Sequence, residues 1–523
     1  MKKCLTLLLA AGLVFSAVSS ASAIDFKAQG EWLVGFAGGQ GNFVDKTRTA
    51  ENGKKKADSS DRFTASQRVR LQLDAVASES LSGTVFFEIG DQNWGSGGTV
   101  GAGSGGAMGA DGVAVEVKNA YIDWMVPDTT LSFRMGIQAL ALPNVAGGSA
   151  VLDDDAAGVT FHMQFNENVG LTGMWARPLN DNYDVQDGDY SGNNKKSYLD
   201  NIDLFALTLP LTFDGIEITP WAMLGVIGQN AFRSGADNAT TDVTPYMTSN
   251  YMSDRWKSGD SFERTKNANT TAFWAGLPVK LTLWDPFNIE FDINYGYVSS
   301  QGRGSIERSD GAGKTRFSTE RQGWLAKALV EYKMDWGTPG IFGWYASGDD
   351  DNPKNGSERM PSVSPSTNFT SFMGDGNLAW SSGGSLYDRN LSLAGTWGIG
   401  LQVADMSFVE DLKHTFRIAY WGGTNSPSMA KYAAHPWSWE SGNGGSYDDS
   451  FSADPELYLT TNDGLLEFNL VNSYQMYENF EINFELGYIV NFIDHDTWKK
   501  ANRTEGYDAQ DAWKAQLIFA YTF

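Results

Sequence analysis

The chain has 523 residues, rich in Gly (58), Phe (30), Tyr (20) and Trp (18), with a formal net charge of −24 and only four His. Acid excess on this scale excludes a nucleic-acid-binding face, which needs clustered Lys and Arg. It suits either a surface and lumen that draw cations or long loops kept soluble by charge.

Met1-Lys2-Lys3 is a basic start, Leu5 to Val18 an apolar stretch, and Ala21-Ser22-Ala23 a small-residue cleavage site. Residues 1–23 therefore read as a secretory signal peptide, and 24–523 as one domain beginning at Ile24. Cleavage removes Lys2 and Lys3, making the charge more negative by two, and with them Cys4, the only Cys. A chain without disulfides must be held by hydrogen-bond ladders and packing. Beyond the leader no apolar run is long enough to span a membrane as a helix, but barrels evade such scans because only alternate residues are apolar.

Strand-like segments follow at 26–37, 66–78, 83–91, 113–125, 131–138, 158–166, 169–177, 201–213, 216–228, 271–284, 288–299, 321–335, 340–347, 391–404, 411–422, 463–476, 480–493 and 512–523. Short connections rich in Asp, Asn, Gly and Pro join alternate pairs, as at Pro127-Asp128, Asp214-Gly215, Asp285-Pro286, Asp405–Asp411 and Tyr477-Glu478-Asn479. Between the others lie long Gly-, Ser-, Asn- and Asp-rich segments, 38–65, 92–112, 178–200, 229–270, 348–390 and 423–462. Short turns at one end and long loops at the other, with both termini on the short-turn side, predict an even number of strands in an all-β, transmembrane, antiparallel up-and-down barrel. The count is about 18, with 16 as the alternative.

Alternation is cleanest in three strands. Ile482, Phe484, Leu486, Tyr488, Val490 and Phe492 oppose Glu481, Asn483, Glu485 and Asn491. Ile289, Phe291, Ile293, Tyr295 and Tyr297 oppose Glu290, Asp292 and Asn294. Val69, Leu71, Leu73, Ala75 and Ala77 oppose Arg68, Arg70, Gln72 and Asp74. A soluble sandwich can alternate too, so the aromatics decide the solvent. Trp124, Phe213, Trp284, Phe287, Trp336, Phe408, Tyr477 and Phe480 all flank short turns, as in a girdle at one membrane interface. Strand 113–125 breaks register near Lys118, which predicts a bulge. The last strand places Trp513, Leu517, Phe519, Tyr521 and Phe523 on one face and Lys514, Gln516 and Thr522 on the other. A strand of this kind at the terminus is expected where every edge must be paired.

With Tyr521-Thr522-Phe523, Lys118-Asn119-Ala120-Tyr121-Ile122-Asp123 and Phe133-Arg134-Met135-Gly136-Ile137-Gln138, the chain resembles the general diffusion porins of Gram-negative bacteria, most of all the homotrimeric porins of sulfate-reducing bacteria. The resemblance implies a passive channel in the cell outer membrane, with short periplasmic turns, long extracellular loops and no enzymatic activity. It implies contact with outer-membrane lipid and lipopolysaccharide, assembly with self as a homotrimer, and recognition by the barrel insertion machinery through Tyr521 and Phe523. It further implies that the loop after the fifth strand, roughly 139–157, folds into the lumen. Asp153, Asp154 and Asp155 on that loop, facing Arg68, Arg70 and Arg134 across the lumen, are then the expected pore constriction, a transverse field favouring small polar solutes. The other reading makes 153–155 a solvated loop, with the arginines paired to Asp74 and Glu88.

Other motifs carry less. Gly311-Ala312-Gly313-Lys314-Thr315 lacks the first glycine of a phosphate loop, since Arg308 stands there. No cofactor is expected. Asp349-Asp350-Asp351 and Asp184, Asp187, Asp189 could hold divalent cations, but neither has calcium-loop spacing, and solvated loops are expected there. No Ser/His/acid set assembles by motif, which disfavours a barrel enzyme. The alternative channel reading is a substrate-selective barrel for sugars or oxyanions, with Trp221 and Trp274 as a stacking track. Close approach of barrels through Ala28, Gly30, Ala75 and Ala77, with 92–112 as a latch, is the expected assembly mode.

Overall fold

The computed structural model describes residues 24–40, 62–95, 115–180, 201–228, 269–308, 312–370, 392–432, 457–500 and 507–523, with short pieces at 44–46, 48–49, 55–56 and 263–264 and single residues 231 and 247. The signal-peptide reading of 1–23, most of the expected latch 92–112 and the acids Asp184, Asp187 and Asp189 lie outside them.

The described residues build one closed antiparallel barrel of eighteen strands. In chain order these are β1 (Asp25–Gln40), β2 (Arg62–Ser78), β3 (Leu81–Asn93), β4 (Val115–Met125), β5 (Leu131–Ala141) and β6 (Asp153–Gln164). Next come β7 (Gly170–Asn180), β8 (Asn201–Thr208 with Leu211–Phe213), β9 (Ile216–Ile218 with Trp221–Gly228), β10 (Asn269–Leu281), β11 (Phe287–Val298) and β12 (Arg321–Tyr332). The circuit is completed by β13 (Thr338–Ala346), β14 (Thr396–Val409), β15 (Leu412–Gly423), β16 (Gly464–Tyr477), β17 (Phe480–Phe492) and β18 (Ala512–Thr522). Pro210 and Pro220, which cannot donate to a ladder, interrupt β8 and β9 near the short-turn end. Their carbonyls still accept from Gly170 N at 3.0 Å and Leu209 N at 2.9 Å, which carries the wall across the breaks.

Closure is made by β1, which pairs along one side with β2 (Trp32 opposite Val69) and along the other with β18 (Trp32 opposite Tyr521). Gly30 N donates to Phe523 O at 2.9 Å and Phe523 N to Gly30 O at 3.1 Å. Every expected strand is present, with shifted ends. β6 begins at Asp153 rather than near 158, because Asp153–Ala157 pairs with Ala141–Ile137 of β5. The expected turn at Asp405–Asp411 shrinks to Glu410-Asp411, since β14 continues through two register shifts to Val409. Asp128 (φ 60°) and Asp411 (φ 62°) occupy the left-handed region that tight turns require and that short polar side chains tolerate.

The bulge expected near Lys118 is there. The β3–β4 ladder passes from Phe86 opposite Asn119 to Phe87 opposite Val117, leaving Lys118 as the extra residue. The two faces separate as the alternation requires. Phe291, Ile293 and Tyr295 are exposed on the outer wall of β11, whereas Glu290, Asp292 and Asn294 are buried inside it. Trp124, Phe213, Trp284, Phe287, Trp336, Phe408 and Tyr477 are exposed around the short-turn rim, and Phe480 packs between Tyr477 (6.4 Å) and Phe519 (6.3 Å).

The outer wall yields a depth-dependent prediction. Leu401, mid-strand on β14 and 56% exposed, should tolerate Arg poorly, losing about 2–4 kcal/mol of folding free energy in lipid vesicles. Phe408→Arg at the rim, where the native side chain is 71% exposed, should cost only about 0–1 kcal/mol. Urea-dependent refolding into vesicles measures both, and equal costs would mean the wall is not lipid-facing.

Candidate functional site

Two loops from the long-loop end fold into the barrel and hold each other. The first, 142–152, joins β5 to β6. Its Gly148–Ser149 pairs antiparallel with Ser366–Thr367 of the second, which follows β13. Val363 N and Ser364 N donate to Val151 O at 2.8 and 3.0 Å, Asn368 N to Gly147 O at 3.1 Å, and Ser362 Oγ to Ala150 O at 2.7 Å. Gly147 (φ 62°) and Gly148 (φ 81°) make this approach possible. A Cβ on the first would overlap the Phe369 ring, and on the second the Ser366 carbonyl.

The paired loops are fastened to the wall of β9–β13 by buried side chains. Trp221 Nε1 donates to Pro143 O at 3.0 Å and Trp274 Nε1 to Pro361 O at 2.9 Å. Arg321 donates to the carbonyls of Arg359 (3.1 Å) and Met360 (3.0 Å). Lys327 Nζ bonds the Gly148 carbonyl and lies 3.2 Å from Asp292 Oδ2, both side chains fully buried. The Phe369 ring stacks on Phe342 and Trp344 at centroid distances of 5.1 and 5.4 Å, and Trp421 meets Trp344 edge-on at 4.4 Å. The Phe342 and Trp344 rings lie flat over Gly400 and Gly398 of β14, where any Cβ would overlap them. The tryptophans expected as a stacking track thus anchor loops and are covered by them: Trp221 is 5% exposed and Trp274 0%.

The opposite wall, β2–β7, keeps polar groups on its inner face in pairs between adjacent strands. Arg70 Nε meets Glu88 Oε2 at 2.7 Å. Arg134 grips Asp123 with two bonds of 2.7 and 3.0 Å and lies 4.1 Å over the Tyr121 ring. Thr84 Oγ1 donates to Asp74 at 2.6 Å, Thr160 Oγ1 to Gln138 Oε1 at 3.1 Å, and His162 Nδ1 shares a 3.0 Å bond with Thr172 Oγ1. Arg134 and Asp123 are the most open of the ion pairs here, with side chains 41% and 36% exposed.

The expected constriction residues are therefore arranged differently from the expectation. Asp153, Asp154 and Asp155 begin strand β6, opposite Ala141, Leu140 and Ala139, and the inward loop is the shorter 142–152. Asp154 Oδ2 accepts from Ser364 Oγ at 2.8 Å, and Asp155 is bonded by Lys118 and, at 2.8 Å, by Asn119 Nδ2. The acids lie on strands adjoining Arg134, since Thr160 of β6 pairs opposite Arg134. The field expected across the lumen becomes a set of short dipoles along one wall. Arg68 is buried on β2 opposite Leu33. Arg70 pairs with Glu88.

Asp349, expected in a solvated outer loop, is buried. It accepts from Ser357 Oγ (2.6 Å), Glu358 N (3.1 Å) and Tyr458 OH (3.2 Å), and burial pushes its carboxyl up despite Arg359 and Arg321 nearby. Among the described residues no group of three or more His, Cys, Asp or Glu is placed to hold a metal ion. The second inward loop escaped the sequence reading because a Gly/Ser/Asn-rich segment looks alike in solvent or in a lumen. The signal that could have found it is the inner face of β13 and β15, where Phe342, Trp344 and Trp421 give a water-filled lumen three large rings to cover.

No protein-family model and no curated protein matches this chain. Solved structures that match along its length include Pseudomonas aeruginosa OccK11 (OpdR), at 10% identity and TM-score 0.44, covering 95% of this chain and 96% of that one. Pseudomonas aeruginosa OpdL matches at 13% identity and TM-score 0.46, covering 95% and 99%. OpdK of the same organism, solved with vanillate, matches at 10% identity and TM-score 0.46, covering 95% and 98%.

The loop anchors can be tested. Lys327→Ala leaves Asp292 buried without its ammonium and frees the Gly148 carbonyl, so it should cost about 3–5 kcal/mol. Replacing both members, Lys327→Met with Asp292→Leu, should recover most of that loss. Thermal unfolding in detergent, followed by circular dichroism, compares the two.

Proposed function

We propose that the protein is a porin-type channel of the Gram-negative outer membrane, through which ions and small hydrophilic solutes diffuse passively, and that it performs no chemistry. The observation that carries this reading is the asymmetry of the lumen. Two paired loops cover the wall of β9–β13, while the inner face of β2–β7 stays polar, with the Arg134 and Asp123 side chains 41% and 36% exposed. A solute would pass along that face. Backbone closure and an apolar exterior suit the bilayer, which tolerates no unpaired strand edge.

In this reading the constriction lies between the loop pair and the open wall. Arg70, Arg134 and Asp154 then act beside Glu88, Asp123 and Ser364 rather than as isolated charges. Each arginine is neutralised within about one hydrogen bond, which favours weak selectivity despite the overall acidity. Likeness to the porins of sulfate-reducing bacteria, a homotrimeric assembly, contact with lipopolysaccharide, and Tyr521 and Phe523 as the insertion signal belong to the same proposal. Substrate selectivity is the second reading, but its aromatic track is not open to solute, so it would have to act through the ion pairs of the open wall.

Planar-bilayer conductance with reversal potentials in a salt gradient tests the channel. The wild type should prefer cations weakly. Arg134→Gln, leaving Asp123 unbalanced, should raise the cation-to-anion permeability ratio roughly two- to five-fold, the weight of about 0.5–1 kcal/mol. Asp123→Asn should move it the opposite way. Purified protein without conductance would sink the proposal.

A further inference from the structure

The inner face of β4–β7 carries a block of polar side chains that the strand register sets in two rows. Asp123, Arg134 and Thr160 stand side by side on β4, β5 and β6, and their row ends at Met174 on β7. Two residues nearer the short turns, Met125, Ser132, His162 and Thr172 form the second row on the same four strands. Neighbours within a row are about 4.8 Å apart by strand spacing, and the rows are about 6.6 Å apart along each strand. The block lines a cavity of about 450 Å³, within the size range of small-molecule sites.

These groups present hydrogen bonds without presenting net charge. Arg134 commits two of its five N–H groups to Asp123, and each Asp123 oxygen accepts one of those bonds. Three guanidinium N–H donors, and a lone pair on each carboxylate oxygen, are left for a solute. Thr160 Oγ1 donates to Gln138, which leaves its oxygen as an acceptor, and His162 meets Thr172 through Nδ1, which leaves Nε2. Donors and acceptors thus lie side by side. The guanidinium is also fixed in place, bidentate on Asp123 and 4.1 Å over the Tyr121 ring, so little side-chain freedom is lost when a solute docks on it.

Three classes of solute meet this block differently. An ion must compete with an opposite charge already bonded at 2.7 and 3.0 Å, so neither Arg134 nor Asp123 favours it strongly. An apolar solute would strip water from the polar groups and give no hydrogen bond back. A polyol both donates and accepts at every hydroxyl. It can therefore bond the guanidinium edge and the carboxylate together without separating them. Met125 and Met174, at opposite corners of the block, give the C–H faces of such a solute adaptable apolar surface.

We propose that this block is a subsite for neutral polyhydroxylated solutes of saccharide size, held by their hydroxyls on the Asp123–Arg134 pair and on Thr160, Ser132 and His162. The inference deepens the channel reading and rests on it for the solute's passage, though binding itself needs only a lumen open to water. Recognition here is by paired donors and acceptors on one wall, in place of the indoles of Trp221 and Trp274, which the loops cover. Because the charges are balanced within the block, binding should be weak, selective for hydroxyl-rich solutes and insensitive to salt.

Titration of the full protein with maltose, followed by saturation-transfer NMR in an amine-oxide detergent that has no sugar headgroup, tests the subsite. Maltose should bind saturably in the millimolar range, with an affinity that changes less than about two-fold between about 0.1 and 1 M KCl. Glucose and glucuronate, which share a ring and differ in charge, should bind within about three-fold of each other. A polyethylene glycol of similar mass, with ether oxygens in place of hydroxyls, should not saturate. The double variant Asp123→Asn with Arg134→Gln, which leaves neither charge alone, should weaken maltose binding about ten-fold. His162→Ala keeps the ion pair, should weaken binding about five-fold, and serves if the double variant folds poorly. No saturable maltose binding, or binding unchanged in the variants, overturns the subsite. So does glucuronate binding more than about ten-fold tighter than glucose and weakened by salt, which would make the block an anion site. Maltose binding by a protein without conductance would leave the subsite standing and remove the channel, and conductance without maltose binding would do the reverse.

Discussion

The hydrogen-bonded seam between β1 and β18 is the constraint on which the rest depends. A strand edge in hydrocarbon leaves N–H and C=O groups with no partner, and each such group costs several kcal/mol. Here the seam runs from Glu31 opposite Thr522 to Gln40 opposite Trp513 without a register shift. Closing the circle fixes which residues of all eighteen strands look inward, because parity is handed from each ladder to the next. Arg134 faces the lumen because Ile137 and Phe133 must face lipid, not because of anything that arginine does by itself.

Closure creates a lumen, and the lumen must then be narrowed without losing backbone satisfaction. The chain does this unevenly. Along β9–β14, indoles and rings lie over glycines of the neighbouring strand, flat enough for a loop to pack on them. Phe342 and Trp344 over Gly400 and Gly398 make the floor for Phe369, and Trp274 over Gly296 makes the floor for Pro361. Indole N–H groups and Lys327 then satisfy loop carbonyls that would otherwise be buried without donors. Along β2–β7 the inner residues are medium-sized and polar, and they pair sideways with one another. The lumen is thus lined by covered rings on one side and by a polar wall, most exposed at Arg134 and Asp123, on the other.

The electrostatics follow from this geometry. Long-range fields need separated charges, and in this barrel the acids and bases of the open wall are separated by single hydrogen bonds. Strand spacing of about 4.8 Å places Arg70 beside Glu88 and Arg134 beside Asp123 on adjacent strands, close enough to bond. Net charge is therefore a poor guide to the lumen. Much of the acidity is spread over turns and loops, and the acids that gather on an inward loop, Asp349, Asp350 and Glu358, are held by hydroxyls and amides.

The sequence by itself determined the barrel and the membrane-facing surface, and brought the strand number to about 18 with 16 left open. Those depend on period-two alternation and turn chemistry, which act between residues a few positions apart. Phe291, Ile293 and Tyr295 against Glu290, Asp292 and Asn294 could be sorted without any partner strand, and the Lys118 bulge showed as a break in the same rhythm. Of the candidate site, the residue types were legible and the inward loop after β5 was implied by the porin resemblance, but not who meets whom. Asp153–Asp155 were read as loop because the porin resemblance put the inward loop at roughly 139–157, and only pairing with Ala139–Ala141 made them a strand. Trp221 and Trp274 had inward parity, yet a solute track and a loop anchor share that parity. Tertiary structure alone decided between them, by bringing Pro143 and Pro361 within reach from segments 78 and 87 residues away. Contacts at that separation depend on how the closed wall places distant loops over one another, and no local pattern encodes that placement.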